Sequence, residues 1–308
     1  MTGHKTIKEI SEAWARDKSN YVKESTMAVY WLSLKNHIVP HFGSRCRFTE
    51  EEIQSFALEK LQGGLSQKSV KDMLVVVKMI QRYGERQGWL EHAEWQVRYP
   101  ANPVKSALPI LTKADQKRLM EHIEGHFTFL NLGIFVCLHT GMRIGEVCAL
   151  RWSDFDLNKG VVAVSRTLER IYVVDAERPY TKVIEGSPKT KNSVREIPLS
   201  KDLMRMLRPL AKIVNPDYYV LTNESRPTEP RTYRNYFNEL TRRLGIPHLK
   251  FHGLRHSFAT RCIESRCDYK TVSVLLGHAD IGTTLNLYVH PNDDQKRSCI
   301  NQMVKSLK

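Results

Sequence analysis

Five short segments in the later two thirds of the chain set strongly polar side chains beside glycine or apolar residues. They are residues 139–150 (HTGMRIGEVCAL), 187–199 (SPKTKNSVREIPL), 252–260 (HGLRHSFAT), 275–284 (LLGHADIGTT) and 285–290 (LNLYVH). Together they offer Arg143 and Arg255, the lysines Lys189 and Lys191, His252 and His278, and Tyr288. Such a set suits phosphoryl transfer without a metal. Arginine forks match phosphate oxygens two at a time. A lysine can protonate a departing oxygen, and a tyrosine can attack phosphorus covalently once a neighbour takes its proton. His252 and Arg255 stand three apart, so one helix face can present both to one phosphate. Glu146 has no direct use for an anionic phosphate and is expected to hold Arg143 or a histidine in place. No G-x-x-x-x-G-K-[ST] loop and no metal-ligand cluster occurs, so neither ATP, metal nor other cofactor is expected.

The spelling and order of these segments resemble the tyrosine recombinase (phage integrase) family, which includes the lambda-type integrases and the Xer recombinases. The G-x-R-x-x-E element is Gly141, Arg143 and Glu146; H-x-x-R is His252 and Arg255; L-G-H is Leu276, Gly277 and His278. Thr283, Thr284, Tyr288 and His290 spell T-T-x-x-x-Y-x-H. The stretch K-T-K-x-x-x-R-x-I-P, residues 189–198, is similar to the hairpin that carries the family's lysine. The resemblance implies that Tyr288 is the nucleophile, Arg143 and Arg255 the phosphate clamp, and His278 a further hydrogen-bond donor. His252 is the expected proton acceptor, with passive phosphate binding as the alternative. Lys189 is favoured over Lys191 as the acid because it precedes Thr190. The implied product is a 3′-phosphotyrosine with a free 5′-hydroxyl.

The elements that must position these residues fall into two groups. Residues 1–97 read as a helical domain, similar to the family's core-binding, SAM-like DNA-binding domain. Ile7, Ile10, Ala13 and Trp14 keep helical spacing, as do Val29, Leu32 and Ile38. Thr49 with Glu52 spells a capping box, Gly63 and Gly64 end that helix, Ser66 caps a long one, and Gly88 closes it. Residues 98–110 hold Pro100, Pro103 and Pro109 and read as a linker. The catalytic domain, residues 111–308, is expected to be mainly α with a small antiparallel sheet. Thr112 caps its first helix, and an apolar helix runs from Phe127 to about His139. Short β-branched strands follow at 161–164, 171–174 and 195–199, and Ser200 returns the chain to helix. The stretch 166–188 is longer than the minimal sheet of the family, which leaves the hairpin register open. An arm-site domain, which some relatives carry ahead of the helical one, is not expected within these residues.

The bulk numbers agree with a DNA partner. Lysine and arginine number 47 against 33 acidic residues, a formal charge of +14 over 308 residues. That excess points to a polyanion, and double-stranded DNA with specific recombination sites is what the resemblance implies. No apolar run approaches the roughly 18 residues of a membrane span, and no signal peptide opens the chain, so a soluble cytoplasmic protein is expected. None of the six cysteines forms a C-x-x-C pair, and they read as reduced thiols.

After Pro291 the tail carries Ile300, Met303, Val304 and Leu307, one stripe of a helix. The resemblance implies that such a tail docks on a neighbouring protomer, building a homo-tetramer on two DNA sites; packing on its own domain is the alternative. An accessory directionality factor is a further partner the resemblance allows. Two other functions fit parts of the pattern: a type IB topoisomerase, which shares the chemistry, and a non-catalytic DNA-binding protein of the same fold. The resemblance admits integration, excision, inversion or resolution as the outcome of strand exchange.

Overall fold

The computed structural model describes residues 5–101, 109–173, 180–188 and 191–288, with residues 297, 300, 301, 303–305 and 307 of the tail. It divides into two compact units. The first comprises Met1–Ser106 with Arg170–Lys182, and the second Ala107–Glu169 with Val183–Lys308. Among the described residues no helix is long and apolar enough to cross a membrane.

The first unit is a bundle of α1 (Ile7–Ser19), α2 (Glu24–Ser33), α3 (Val39–Phe42), α4 (Glu50–Gln62) and α5 (Gln67–Arg86). Local chemistry sets its helix ends. The hydroxyls of Thr6, Thr49 and Ser66 accept the amides of Glu9, Glu52 and Ser69. A π turn at Leu34–Ile38 joins α2 to α3. Pro40 follows it and lacks the amide that a regular helix would use, which accounts for the wider turn. Ile7, Ile10, Trp14, Phe42, Phe56, Val77 and Ile80 form the core. Val29 keeps the helical spacing but lies outward, and α2 buries Met27 and Ala28 instead. Much of the 98–110 stretch, Pro103 included, lies outside the described residues.

The second unit begins with α6 (Lys113–Gly125), capped by Thr112, and α7 (Phe129–Thr140), capped by Thr128. Helix α7 is apolar on nearly every side, which suits only a central, fully surrounded helix. Leu132, Phe135 and Val136 are buried in one core with Tyr233, Phe237, Phe251 and Leu254. Full burial of such side chains is worth about 1.5–3 kcal/mol each. A short α8 (Ile144–Cys148) leads to an antiparallel sheet of β1 (Phe155–Asp156), β2 (Val161–Val164) and β5 (Arg195–Pro198), in the order β1-β2-β5. Val162 pairs with Ile197 and both point into the core. Between β2 and β5, β3 (Thr167–Val173) and β4 (Tyr180–Gly186) form a separate two-stranded sheet. The far part of this hairpin groups with the first unit, a division that a contiguous domain at 111–308 does not anticipate. The chain finishes in α9 (Lys201–Leu210), α10 (Pro230–Arg243), α11 (His252–Glu264), α12 (Tyr269–Leu276) and α13 (Ile281–Tyr288). Cys137 and Cys148 are buried thiols in this core, and burial pushes Cys137 up to about 12.

Candidate active site

Arg255 lies in the floor of the site, on α11, and is 1% exposed. Its guanidinium donates to the Gly141 carbonyl at 2.9 Å and the Leu276 carbonyl at 2.7 Å. These are the C-terminal ends of α7 and α12, where unpaired carbonyls and the helix dipole favour a cation. Both ends turn through left-handed glycines, Gly141 at φ +65° and Gly277 at φ +65°. A side chain at Gly141 would collide with Phe258 and Leu276. One at Gly277 would stand 2.8 Å from the Asn192 carbonyl, so this glycine lets the Lys191–Ser193 turn approach α12. Burial, and then Arg143, lower the Arg255 pKa to about 9, which still leaves it charged at neutral pH.

Arg143 stands at the start of α8 and is half exposed. Glu146, 2% exposed, accepts its Nη1 at 2.8 Å and its backbone amide at 2.9 Å. The same carboxylate also receives Arg195, with Nη2 at 3.0 Å and Nη1 at 3.2 Å. Burial works against the Glu146 charge, but Arg195 and Arg143 outweigh it and hold its pKa below the usual carboxylate value. Arg195 goes further: Nε donates to the Leu275 carbonyl at 2.6 Å and Nη1 to the Ser193 carbonyl at 2.9 Å. One side chain therefore ties α8, the end of α12 and the turn before β5 together. Sequence reasoning expected Glu146 to hold Arg143 or a histidine, and the structure pairs it with Arg143 and with Arg195, to which sequence reasoning assigned nothing. The signal for it was present in the K-T-K-x-x-x-R-x-I-P stretch.

His252 opens α11 and is exposed, while its pKa is pushed down to about 4 by desolvation and by the charges of His256, Arg255 and Arg143. His278 follows Gly277, and its Nδ1 lies 2.8 Å from the buried hydroxyl of Thr284. Desolvation, Arg255 and Arg143 bring it also to about 4. Both rings are thus neutral at pH 7 in this cationic pocket, and an arriving phosphate would favour their protonation. Tyr288 ends α13 and is 9% exposed. Burial raises its pKa, against the lowering pull of Arg255 and Arg143. Its hydroxyl lies 2.6 Å from Nδ1 of His256, a residue that sequence reasoning passed over.

Arg143 and Arg255 thus act electrostatically on His252, His278 and Tyr288, and Glu146 on His252 and Arg255. Lys189 and His290 lie outside the described residues. A half-exposed Arg143 and a buried Arg255 among neutral imidazoles and a phenol form a cationic site that can grip an anionic phosphodiester and offer it a nucleophile.

Comparison with known proteins bears on the family and the fold. Residues 109–295 match the model of the phage integrase family, and residues 6–45 that of the phage integrase N-terminal SAM-like domain. A XerC-like tyrosine recombinase of Caldanaerobacter subterraneus subsp. tengcongensis is 27% identical, covering 92% of this chain and 74% of its own. The tyrosine recombinase XerA of Pyrococcus furiosus is 28% identical over 70% of this chain and 68% of its own. Among solved structures, the integrase of transposon Tn1549 bound to transposon right-end DNA aligns with a TM-score of 0.78 at 22% identity. It covers 97% of this chain and 99% of that one. A lambda integrase tetramer bound to a Holliday junction aligns at 0.69 and 18% identity, over 95% of this chain and 80% of that one. At these identities the structural likeness concerns the fold.

Proposed function

The chain belongs to the phage integrase family, and on that premise we propose that it is a site-specific recombinase that cuts and rejoins DNA through a covalent 3′-phosphotyrosine on Tyr288. The observation that carries the reading is that Arg143 and Arg255 act together on Tyr288 and on both His252 and His278. Arg143 and Arg255 take the non-bridging oxygens, where charge grows in the transition state. Fixed by its carbonyl partners, Arg255 needs no reorganisation as it does so. His252 and His278 add hydrogen bonds to the same phosphate, and Lys189 protonates the departing 5′ oxygen. One ester replaces another, so no external energy source enters the scheme. The +14 charge serves phosphate contacts, and binding should weaken steeply with salt.

Tyr288→Phe tests the reading on a nicked suicide substrate. Half-site affinity should stay within about twofold of the native value, because one hydroxyl adds little to a broad basic interface. The covalent adduct should disappear. An adduct that persists and maps to another tyrosine would overturn the assignment. Incubation with two-site DNA separates recombinase from topoisomerase, since only the former yields junction products.

Assembly as a tetramer on two sites belongs to the same proposal. Ile300, Met303, Val304 and Leu307 of the tail are 59%, 52%, 43% and 79% exposed. The exposure of Ile300, Val304 and Leu307, apolar residues on one helical stripe, supports docking on a neighbour. Removing residues 298–308 should leave half-site binding intact and abolish synapsis of two sites in sedimentation. A truncated protein that assembles at normal concentration would refute trans docking.

A further inference from the structure

We propose that His256, one helical turn beyond His252, is the base that receives the proton of Tyr288 during strand cleavage; this deepens the function proposed above and rests on it. The two side chains meet at 2.6 Å between Nδ1 and Oη, with ring centroids 5.6 Å apart. His256 is 8% and Tyr288 9% exposed, so water competes little for the contact. Tyr288 needs such help, since burial disfavours its phenolate. His256 is suited to give it. Desolvation and the Arg255 charge keep its imidazole neutral at neutral pH, with a lone pair to offer. His252 sits differently: its ring packs edge-on against His256 at 4.6 Å, and it is exposed and feels the charges of Arg255 and Arg143. That position suits contact with the phosphate, and the hydrogen bond to the nucleophile falls to His256.

The step balances without a co-reactant. The Oη–H bond breaks as the Oη–P bond forms, and the proton passes to Nδ1. The P–O5′ bond breaks, and the leaving oxygen takes its proton from a separate acid, assigned above to Lys189. On religation the 5′-hydroxyl attacks, and Tyr288 departs and recovers its proton from Nδ1. Arg255 nearby keeps the imidazolium acidic, so the proton returns readily. A base that must work in both directions needs that balance.

His256→Asn is the test. An asparagine can place its amide oxygen near the position of Nδ1 and hold the tyrosine hydroxyl, but it takes no proton at neutral pH. On the suicide substrate we expect unchanged half-site affinity and cleavage slowed about 100-fold. Replacing Tyr288 with a fluorinated tyrosine of lower phenol pKa should restore about 10-fold in the variant and little in the native chain. Native cleavage by His256→Asn, or a slow variant that fluorination does not help, would overturn the proposal. Fluorine rescue confined to His252→Asn would move the role to His252. Nitrogen NMR of the native protein gives a check free of folding effects. Nδ1 must be unprotonated at pH 7, and an Nδ1–H tautomer donating to Tyr288 would also overturn it. An adduct that survives Tyr288→Phe would instead strike the functional reading itself, so the two failures are distinct.

Discussion

The two units bury different kinds of side chain. The first is closed by an apolar core of Ile10, Trp14, Phe42, Phe56 and Ile80, and among its described residues the buried polar side chains, Ser11 and Gln81, carry no charge. The second has such a core too, but it also encloses Arg255, Glu146 and His256 and nearly encloses the Arg195 side chain. Burying charge weakens a fold unless every charge is paired, and even then an apolar replacement is often as stable. The first unit avoids that expense; the second accepts it only around the arginine cluster. The contrast teaches where stability has been traded for a preset electrostatic surface. Glu146 is the hinge of the trade, because it neutralises Arg195 from below and steadies Arg143, which stays half open to a ligand.

Matched truncations should expose the difference most strongly. Phe56→Ala empties space in the first core and should cost about 3–5 kcal/mol. Glu146→Ala should cost a similar 3–5 kcal/mol, because Arg195 is left buried without a counter-charge. Denaturant melts would record both. The variants should then part. Adding Arg195→Met to Glu146→Ala removes the orphaned charge and should recover much of the stability, yet cleavage should remain lost, since Arg143 and the Lys191–Ser193 turn lose their anchor. Protein carrying Phe56→Ala, where folded, should form the covalent adduct at the native rate. If the double variant regains cleavage as well as stability, the buried network is structural only and the comparison fails.

A weaker effect concerns the lysine proposed as the acid. Lys189→Ala should slow cleavage about 100-fold on ordinary DNA. With sulfur in place of the 5′ leaving oxygen, the defect should nearly vanish, because a thiolate leaves without a proton. Equal defects on both substrates would remove Lys189 from the acid role, and rescue seen only with Lys191→Ala would transfer it.

What the sequence made legible was local. Thr49, Ser66, Thr112 and Ser200 each cap the helix they precede, because a hydroxyl and an amide three residues on are all that a cap requires. The strand 161–164 was readable from its β-branched run. By contrast, β4 carries Tyr180, Lys182 and Glu185 with no clean alternation, and pairing with β3 alone makes it a strand. Arg195 and His256 went unassigned for the same reason. Their partners Glu146 and Tyr288 lie 49 and 32 residues away, and although Arg195 stands inside a recognisable stretch, the local spelling does not name the partner of either residue. The motif residues were found through resemblance to a family, and the charge network that supports them had to be seen in three dimensions.

The smallest expected effect concerns protons, and it also separates the two units. In the second, His252 and His278 fall to about 4 and His256 is lowered as well, each by desolvation and nearby positive charge. Unfolded histidine titrates near 6.5. Between roughly pH 6.5 and 4 the unfolded chain therefore binds more protons than the folded one, and stability must fall as pH falls through that window. Above it the contribution is complete. His37 is lowered in the first unit, by burial and Lys60, but it stands outside any comparable arginine cluster. Hydrogen exchange at pH 5 against pH 7.5 should thus show the second unit losing protection before the first, beyond the ordinary change in exchange chemistry. DNA should reverse the sign for the site. A phosphodiester between Arg143 and Arg255 offsets the charges that hold these rings neutral, so binding at pH 5.5 to 6 should take up on the order of one proton. Calorimetry in buffers of different ionisation enthalpy measures that number. Uptake that persists in His252→Asn and His278→Asn together would place the protons elsewhere, and no uptake at all would mean the phosphate does not sit among these histidines.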